Sequence, residues 1–332
     1  MSSKKNAKIF VVSFFISFFA FWGLNLFQKE IEEIFYWQRI SKDSHILLAD
    51  ININFRHKDR NKFFGAVEEK KPAPDLPDLL VDSFISVLIA PDGKQKIIFE
   101  KNADKKRAIA SITKLITALV AEEIYQSDQI LFVSKRAVEQ ENQAGQLRAG
   151  EALSVNQLMH IMLIESSNDA AFALAEGITE RNSTTTNKEH FVYLMNKKAR
   201  EIGLKNTFFN NPSGLNGMEN YSTAYDLVKL ASYILKNHPE IFEITRYQSW
   251  RAIYPNGKTH HYITENTNKL LEEIPGIIGG KTGYTEEAGG CMILILRRSD
   301  NNHLINVILG ADSPESRFVE MKKLIEYCNK VI

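Results

Sequence analysis

Three short segments of this chain carry the side chains for one reaction centre: Ser111-Ile112-Thr113-Lys114, Ser166-Ser167-Asn168 and Lys281-Thr282-Gly283, in that order. On a helix, Ser-x-x-Lys sets a hydroxyl and an amine one turn apart on one face. A lysine placed there can take the serine proton without an imidazole, provided its pKa is pulled well below about 10.4. Together the three segments supply a nucleophile, bases, an amide holder and a cationic anchor for a carboxylate, which are the parts of an acyl-transfer site. Other hydrolytic chemistries lack their signatures. No Gly-x-Ser-x-Gly elbow is present for a Ser-His-Asp enzyme, and the eight histidines contain no His-Glu-x-x-His. His260 and His261 are adjacent in a turn-rich stretch without a ligand-spaced partner, so neither a metal nor another cofactor is expected.

Each segment competes with a plainer reading. Ser-x-x-Lys also occurs at Ser2 to Lys5, in a polar tail, whereas Ser111 opens a stretch of helical apolar spacing to Glu123. A helix starting there aims backbone N–H groups and its positive dipole end at the nucleophile. Ser-x-Asn occurs at Ser154, Ser166 and Ser299. Ser154 to Gln157 is a capping box that opens a helix to Ile164, and Ser299-Asp300-Asn301 is a polar hairpin turn in the wrong order. Ser166 to Asn168 sits between two helices, where a tight turn can present side chains to a cleft. Lys281-Thr282-Gly283 is flanked by Gly276, Gly279 and Gly280, and glycines beside an edge strand clear room for another backbone to lie alongside. Lys281, Thr282 and Thr285 then face a carboxylate.

Elements must position these groups. Phe84 to Ala90 and Lys96 to Phe99 read as strands joined by the turn Pro91 to Lys94. Further helices are expected at Asp169 to Glu176, His190 to Ile202, Thr223 to Leu235 and Ser316 to Tyr327. Cys291 to Leu296 and Leu304 to Leu309 form a hairpin around Arg297 to Asn302. Strands at both ends of the domain with helices between them give an α+β (α/β) class: one antiparallel sheet covered by terminal helices and by a helical subdomain.

The 332 residues include 41 Lys+Arg and 40 Asp+Glu, so charge gives no reason to expect nucleic acid as a partner. Two cysteines are too few for a disulfide framework, and Cys291 lies in an apolar run as a buried small hydrophobe. Residues 9–27 carry no charge, follow Lys4, Lys5 and Lys8, and precede Glu30, Glu32 and Glu33. That length spans a ~30 Å hydrocarbon core as a helix, and the lysines keep the short end cytoplasmic. No Ala-x-Ala-like cleavage site follows, so an uncleaved anchor is expected, with the rest outside the cytoplasm. The expected layout is a cytoplasmic tail at 1–8, an anchor at 9–27, a spacer at 28–77 closed by the stiff Pro72 to Pro77 hinge, and a catalytic domain at 78–332. Within the spacer, Ile31 to Phe35 reads as a short helix and Ile51 to Phe55 as a strand.

From about Ser83 onward the chain resembles the serine D-alanyl-D-alanine carboxypeptidases, the low-molecular-mass penicillin-binding proteins. The likeness lies in Ala110 to Ala118 (ASITKLITA), Ser166 to Ala171 (SSNDAA), Phe209 to Leu215 (FNNPSGL), Tyr221 to Leu227 (YSTAYDL) and Gly280 to Thr285 (GKTGYT). Many members carry histidine where this chain has Ser213, so that side chain is given no role. The resemblance implies a β-lactamase/transpeptidase-like fold and a bacterial membrane enzyme acting on peptidoglycan stem peptides, with β-lactam antibiotics as inhibitors.

By the same resemblance, Ser111 attacks the penultimate D-alanine carbonyl, Lys114 takes its proton and Ser166 relays a proton to the departing amine. Asn168 holds Lys114 and the substrate amide, while Lys281, Thr282 and Thr285 bind the terminal carboxylate. The oxyanion sits between the backbone N–H groups of Ser111 and Tyr284. Three alternatives stay open. A DD-endopeptidase uses the same site with a more open cleft. A β-lactamase needs a deacylating glutamate, and Glu180 to Thr184 lacks a Glu-x-x-Leu-Asn pattern. A non-catalytic penicillin sensor needs a cytoplasmic output module, for which Met1 to Lys8 is short.

Overall fold

The structure is a computed structural model that describes residues 78–140, 147–178, 186–215, 217–253, 259–263 and 265–332. The expected anchor, the spacer with its short helix and strand, the Pro72 to Pro77 hinge and the stretch Glu180 to Thr184 lie outside them. Among the described residues, no helix is long and apolar enough to cross a membrane.

The chain opens with strand β1 (Val81–Ile89), β2 (Gln95–Lys101) and a short β3 (Arg107–Ala108). A 3₁₀ turn at Ala110–Thr113 then runs into helix α1 (Lys114–Ile124). Next come β4 (Ile130–Phe132), α2 (Lys135–Val138), β5 (Ala152–Ser154), α3 (Val155–Ile164) and α4 (Asn168–Glu176). They are followed by α5 (Asn187–Ile202), β6 (Tyr221–Ser222), α6 (Ala224–Asn237) and α7 (Pro239–Ile244). The hairpin of β7 (Trp250–Ile253) and β8 (Thr259–Ile263) leads to β9 (Ile277–Thr285), β10 (Gly289–Arg297), β11 (His303–Ala311) and α8 (Ser316–Val331).

Five strands pair antiparallel in the order β2-β1-β11-β10-β9, which leaves β9 at an edge. The sheet is apolar on both faces because successive side chains alternate across it. Ile85, Val87, Ile293, Ile295, Ile305 and Val307 pack into the helical layer. Phe84, Met292, Leu294, Leu296 and Ile308 pack against Phe318, Met321 and Leu324 of α8. The predicted antiparallel sheet between a closing helix and a helical subdomain is therefore present.

Local signals account for most helix starts. Ser154 and Gln157 form the expected capping box at α3, and Thr223 Oγ1 accepts from Asp226 N at α6. Cys291 is buried, as its apolar run implies. One expectation needs refinement: the helix predicted to begin at Ser111 begins as a 3₁₀ turn, with the α-helix proper starting at Lys114. In a 3₁₀ turn residues i and i+3 eclipse, so Ser111 and Lys114 align more directly than on an α-helix. The short helix α7 was not anticipated, yet it supports the edge strand. Phe242 packs under Gly279, where an added Cβ would lie 2.5 Å from the Phe242 Cβ. Thr245 Oγ1 accepts from Gly280 N at 3.0 Å.

Candidate active site

At Gly283 one face of β9 packs against the 3₁₀ turn. A Cβ on Gly283 would sit 2.9 Å from Ser111 N and 3.0 Å from Ile109 O, so only glycine lets the two backbones approach this closely. The third motif thereby reaches the first. The second arrives from the α3–α4 turn, where Ser167 caps α4 by accepting from Ala170 N at 3.1 Å. Two non-glycine residues at the site have positive φ: Ala110 at 45° and Ser166 at 66°. Such backbone costs of order 1–3 kcal/mol and persists only where surrounding contacts hold it.

Lys114 is the centre of the arrangement. It is fully buried, and its Nζ lies 2.8 Å from Ser111 Oγ, 2.8 Å from Asn168 Oδ1 and 2.9 Å from the Ser213 carbonyl oxygen. Burial, reinforced by the charge of Lys281, holds its amine well below the ordinary lysine range. The amide oxygen and the carbonyl can only accept hydrogen bonds. A neutral amine therefore gives both its hydrogens to them and turns its lone pair to the Ser111 hydroxyl. An amine so placed can accept the hydroxyl proton.

Lys281 Nζ donates to Ser166 Oγ and to the Thr282 carbonyl, each at 2.9 Å. Burial first, and then the neighbouring Arg317 guanidinium, lower its pKa to about 7. Thr282 Oγ1 donates to Thr267 Oγ1 at 2.8 Å. Thr285 ends β9, and its Oγ1 accepts from Ala288 N at 3.1 Å in the turn to β10. Tyr284, whose backbone N–H was assigned to the oxyanion, pairs with Gly290 across the strands and exposes its ring. Ser111, Lys114, Ser166, Asn168 and Lys281 are thus joined by hydrogen bonds. Thr282 is adjacent on the same strand, and Thr285 belongs to the strand's terminal turn.

A profile of the D-alanyl-D-alanine carboxypeptidase family matches residues 77–313. The chain belongs to the D-alanyl-D-alanine carboxypeptidase family. It is 35% identical over 248 residues to the D-alanyl-D-alanine carboxypeptidase DacF of Bacillus subtilis, an alignment covering 73% of this chain and 61% of DacF. The chain thus spans about three-fifths of that relative's length. It is also 35% identical over 219 residues to the D-alanyl-D-alanine endopeptidase of Haemophilus influenzae, covering 64% of this chain and 70% of the relative. Among solved structures, the Streptomyces K15 DD-transpeptidase is similar at a TM-score of 0.68 and 28% identity, covering 76% of this chain and 98% of that one. The penicillin-recognising fold read from the motifs is confirmed.

Three features of the structure escaped the sequence reading. The first is the FNNPSGL loop, whose contribution is a carbonyl rather than a side chain. Asn220 binds it with Oδ1 accepting from Asn210 N at 2.9 Å and Asn211 N at 3.1 Å, while its Nδ2 donates to the Asn211 carbonyl and to Thr113 Oγ1. Asn211 Oδ1 in turn accepts from Gly214 N at 2.7 Å, and these bonds fix the Ser213 carbonyl on Lys114. The second is Arg317, at the start of α8. Its Nη1 donates to the Gly283 carbonyl at 2.8 Å, and its buried Nε has no hydrogen-bond partner. Among the described residues, no carboxylate forms an ion pair with Lys281 or Arg317. An arginine 36 positions after Lys281 carries no local signal.

The third lies away from the reaction centre. The reading of the histidines as forming no metal set meets one group among the described residues: Glu122, His238 and Glu240, whose ligand-type atoms lie within 4.8 Å of one another. His238 Nδ1 is 3.0 Å from Glu122 Oε2. Burial, and after it the hydrogen bond to the Glu240 carboxyl, raises the Glu122 pKa to about 8. The group ties the far end of α1 to the α6–α7 junction, roughly 12 Å along the helix from Lys114.

Proposed function

We propose that the chain is a serine DD-peptidase that removes the terminal D-alanine from peptidoglycan pentapeptide stems through an acyl-enzyme on Ser111. The observation that carries this is the coordination of Lys114: two acceptor-only oxygens take its hydrogens and leave its lone pair to Ser111 Oγ. Ser111 Oγ attacks the penultimate D-alanine carbonyl and passes its proton to Lys114. The oxyanion forms beside the backbone N–H groups of Ser111 and Tyr284, each donor worth roughly 3–4 kcal/mol in such sites. Ser166, held by Lys281, hands a proton to the departing amine. Lys281 and Arg317 supply positive charge for the terminal carboxylate, with Thr282 and Thr285 as hydroxyl donors, which selects for a free C-terminus. Water then cleaves the ester.

A β-lactam presents a strained amide and a carboxylate in the same arrangement, so it acylates the same serine. Intact-mass spectrometry after benzylpenicillin treatment should show one long-lived adduct on the peptide containing Ser111, absent in Ser111→Ala. Rapid penicillin turnover with no trapped adduct would falsify the peptidase reading in favour of a β-lactamase. The similarity to a protein named an endopeptidase favours a second reading, cleavage of peptide cross-links at the same site. Purified muropeptides separate the two: free D-alanine from pentapeptides means carboxypeptidase, monomers from dimers mean endopeptidase.

We also propose that residues 9–27 anchor the protein in the bacterial cell membrane as a single pass, with residues 28–77 as spacer and 78–332 as the extracytoplasmic catalytic domain. The uncharged run behind Lys4, Lys5 and Lys8 and the family match beginning at residue 77 support this layout. Protease added to spheroplasts should digest a domain that pellets with membranes. A soluble mature form starting after Phe27 would refute the anchor.

A further inference from the structure

Glu122, His238 and Glu240 come together from three separate stretches of chain. Glu122 lies in the last turn of α1, His238 joins α6 to α7, and Glu240 lies in the first turn of α7. An imidazole nitrogen and two carboxylate oxygens, one atom from each residue, all fall within 4.8 Å of one another. Donors collected in this way leave no spacing motif, so the histidines carried no such signal in the sequence.

The surroundings orient the nitrogen donor. His238 Nδ1 is 3.0 Å from Glu122 Oε2, and the Glu122 carboxyl also meets that of Glu240. The other ring nitrogen, Nε2, is 3.7 Å from Glu123 Oε1. Glu123 is itself held by Lys198 Nζ at 2.9 Å, and the ring stacks on Tyr233 with centroids 6.0 Å apart. Metal-bound imidazoles commonly direct their second N–H at a carboxylate, which fixes the tautomer and the ring orientation. With its proton on Nε2, facing Glu123, His238 turns the Nδ1 lone pair towards the two carboxyls. Among the described residues, no lysine or arginine forms an ion pair with Glu122 or Glu240, whereas Lys198 serves Glu123 and Glu201.

We infer that Glu122, His238 and Glu240 form a binding site for a zinc-class divalent cation, with water completing its coordination. One nitrogen and two carboxylate oxygens suit zinc better than calcium or magnesium, which take all-oxygen shells. Zinc–ligand bonds of about 2.0–2.2 Å put tetrahedral donors roughly 3.3–3.5 Å apart, so the three atoms must close by about 1 Å. Glu240 is exposed and free to swing inward by a rotamer change. The ion ties α1, which carries Lys114, to α7, which supports the edge strand through Phe242 under Gly279 and Thr245 on Gly280 N. Its role is structural, behind the reaction centre, and it takes no part in acyl transfer.

The test uses the full chain in detergent, without a histidine tag and stripped with EDTA, titrated with zinc chloride and with cobalt chloride. One equivalent of zinc should bind with a Kd of about 10 µM or tighter, and a roughly tenfold excess over that Kd should raise Tm by about 3–5 °C. Cobalt should give visible d–d bands that zinc abolishes. Glu240→Gln, at an exposed position, should weaken zinc binding by at least about tenfold and remove the Tm rise. His238→Asn should do the same and lose the cobalt bands. In the wild type, zinc should also shield His238 from diethyl pyrocarbonate, read by peptide mass spectrometry, a readout independent of how the variants fold. Weaker zinc binding than this, binding that survives Glu240→Gln, or undiminished modification of His238 in the zinc-treated protein overturns the site.

Discussion

Lys281 Nζ lies 2.9 Å from Ser166 Oγ, so the edge strand and the α3–α4 turn are joined through the two hydroxyl and amine groups flanking the cleft. The bond gives Lys281 two tasks that depend differently on its charge. As an ammonium it attracts a carboxylate and donates to Ser166, whereas as a neutral amine it keeps only the contact.

That duality sets a pH profile. Lys114 must be neutral to accept the Ser111 proton, and its pKa is held well below the ordinary lysine range by burial and by Lys281. Lys281 must be charged to draw in a carboxylate, and its pKa lies at about 7. The second-order rate of acylation by benzylpenicillin should rise with pH as Lys114 deprotonates and fall above about 7 as Lys281 does. Lys281→Arg should flatten the alkaline limb, since a guanidinium keeps its proton. A wild-type rate that climbs steadily to pH 9 would remove Lys281 from this role.

Charge selectivity can be isolated with substrates that lack the carboxylate. Lys281→Gln should lower kcat/KM for free-acid peptides by about tenfold or more beyond its effect on their C-terminal amides. Arg317→Gln should act in the same direction, because its charge acts on Lys281 and, among the described residues, neither group forms an ion pair with a carboxylate. Equal losses on acid and amide would assign both residues to the nucleophile or to the fold.

How much of this was legible beforehand follows from the range of each signal. Ser111, Lys114, Ser166, Asn168 and Lys281 were readable because each motif is local and its order along the chain restricts its meaning. The sheet was readable because Cys291 to Leu296 and Leu304 to Leu309 are apolar runs around a polar turn. The Ser213 carbonyl was not, because a backbone oxygen leaves no trace in residue types. What the sequence does hold is its support, Asn211 and Asn220, and asparagines near a glycine read as ordinary turn formers. Arg317 was hidden because its partner, the Gly283 carbonyl, is brought close by sheet and helix packing alone.

Asn220 offers a test of that hidden support. Its side chain is fully buried and joins two stretches of the site, the Asn210–Asn211 loop and Thr113, so removing it strands several buried polar groups. Asn220→Ala should cost about 2–4 kcal/mol of stability. At a temperature where the variant is fully folded, acylation of Ser111 should still drop by at least about tenfold, because the Ser213 carbonyl no longer orients Lys114. Normal acylation in a destabilised variant would limit Asn220 to a structural role.

The buried lysines also bear on stability, and the direction can be derived. Lys281 titrates at about 7 when folded and near ~10.4 when unfolded. Between these values the unfolded chain binds a proton that the folded chain does not, so this group makes the fold more stable as pH rises from 7 to 10. Below 7 the folded protein carries the buried charge in full and bears the whole penalty. Lys281→Met removes the charge while keeping an unbranched side chain of similar length, at the loss of the bonds to Ser166 Oγ and the Thr282 carbonyl. Relative to wild type, the variant should therefore be most favoured at pH 6 and lose that advantage by pH 9, a swing on the order of a few kcal/mol. Urea unfolding of both proteins at the two pH values measures it, since groups titrating alike in both cancel in the difference. A stability difference that is the same at pH 6 and pH 9 would mean that Lys281 keeps its proton in the folded protein, and the alkaline limb of the acylation profile would then need another source.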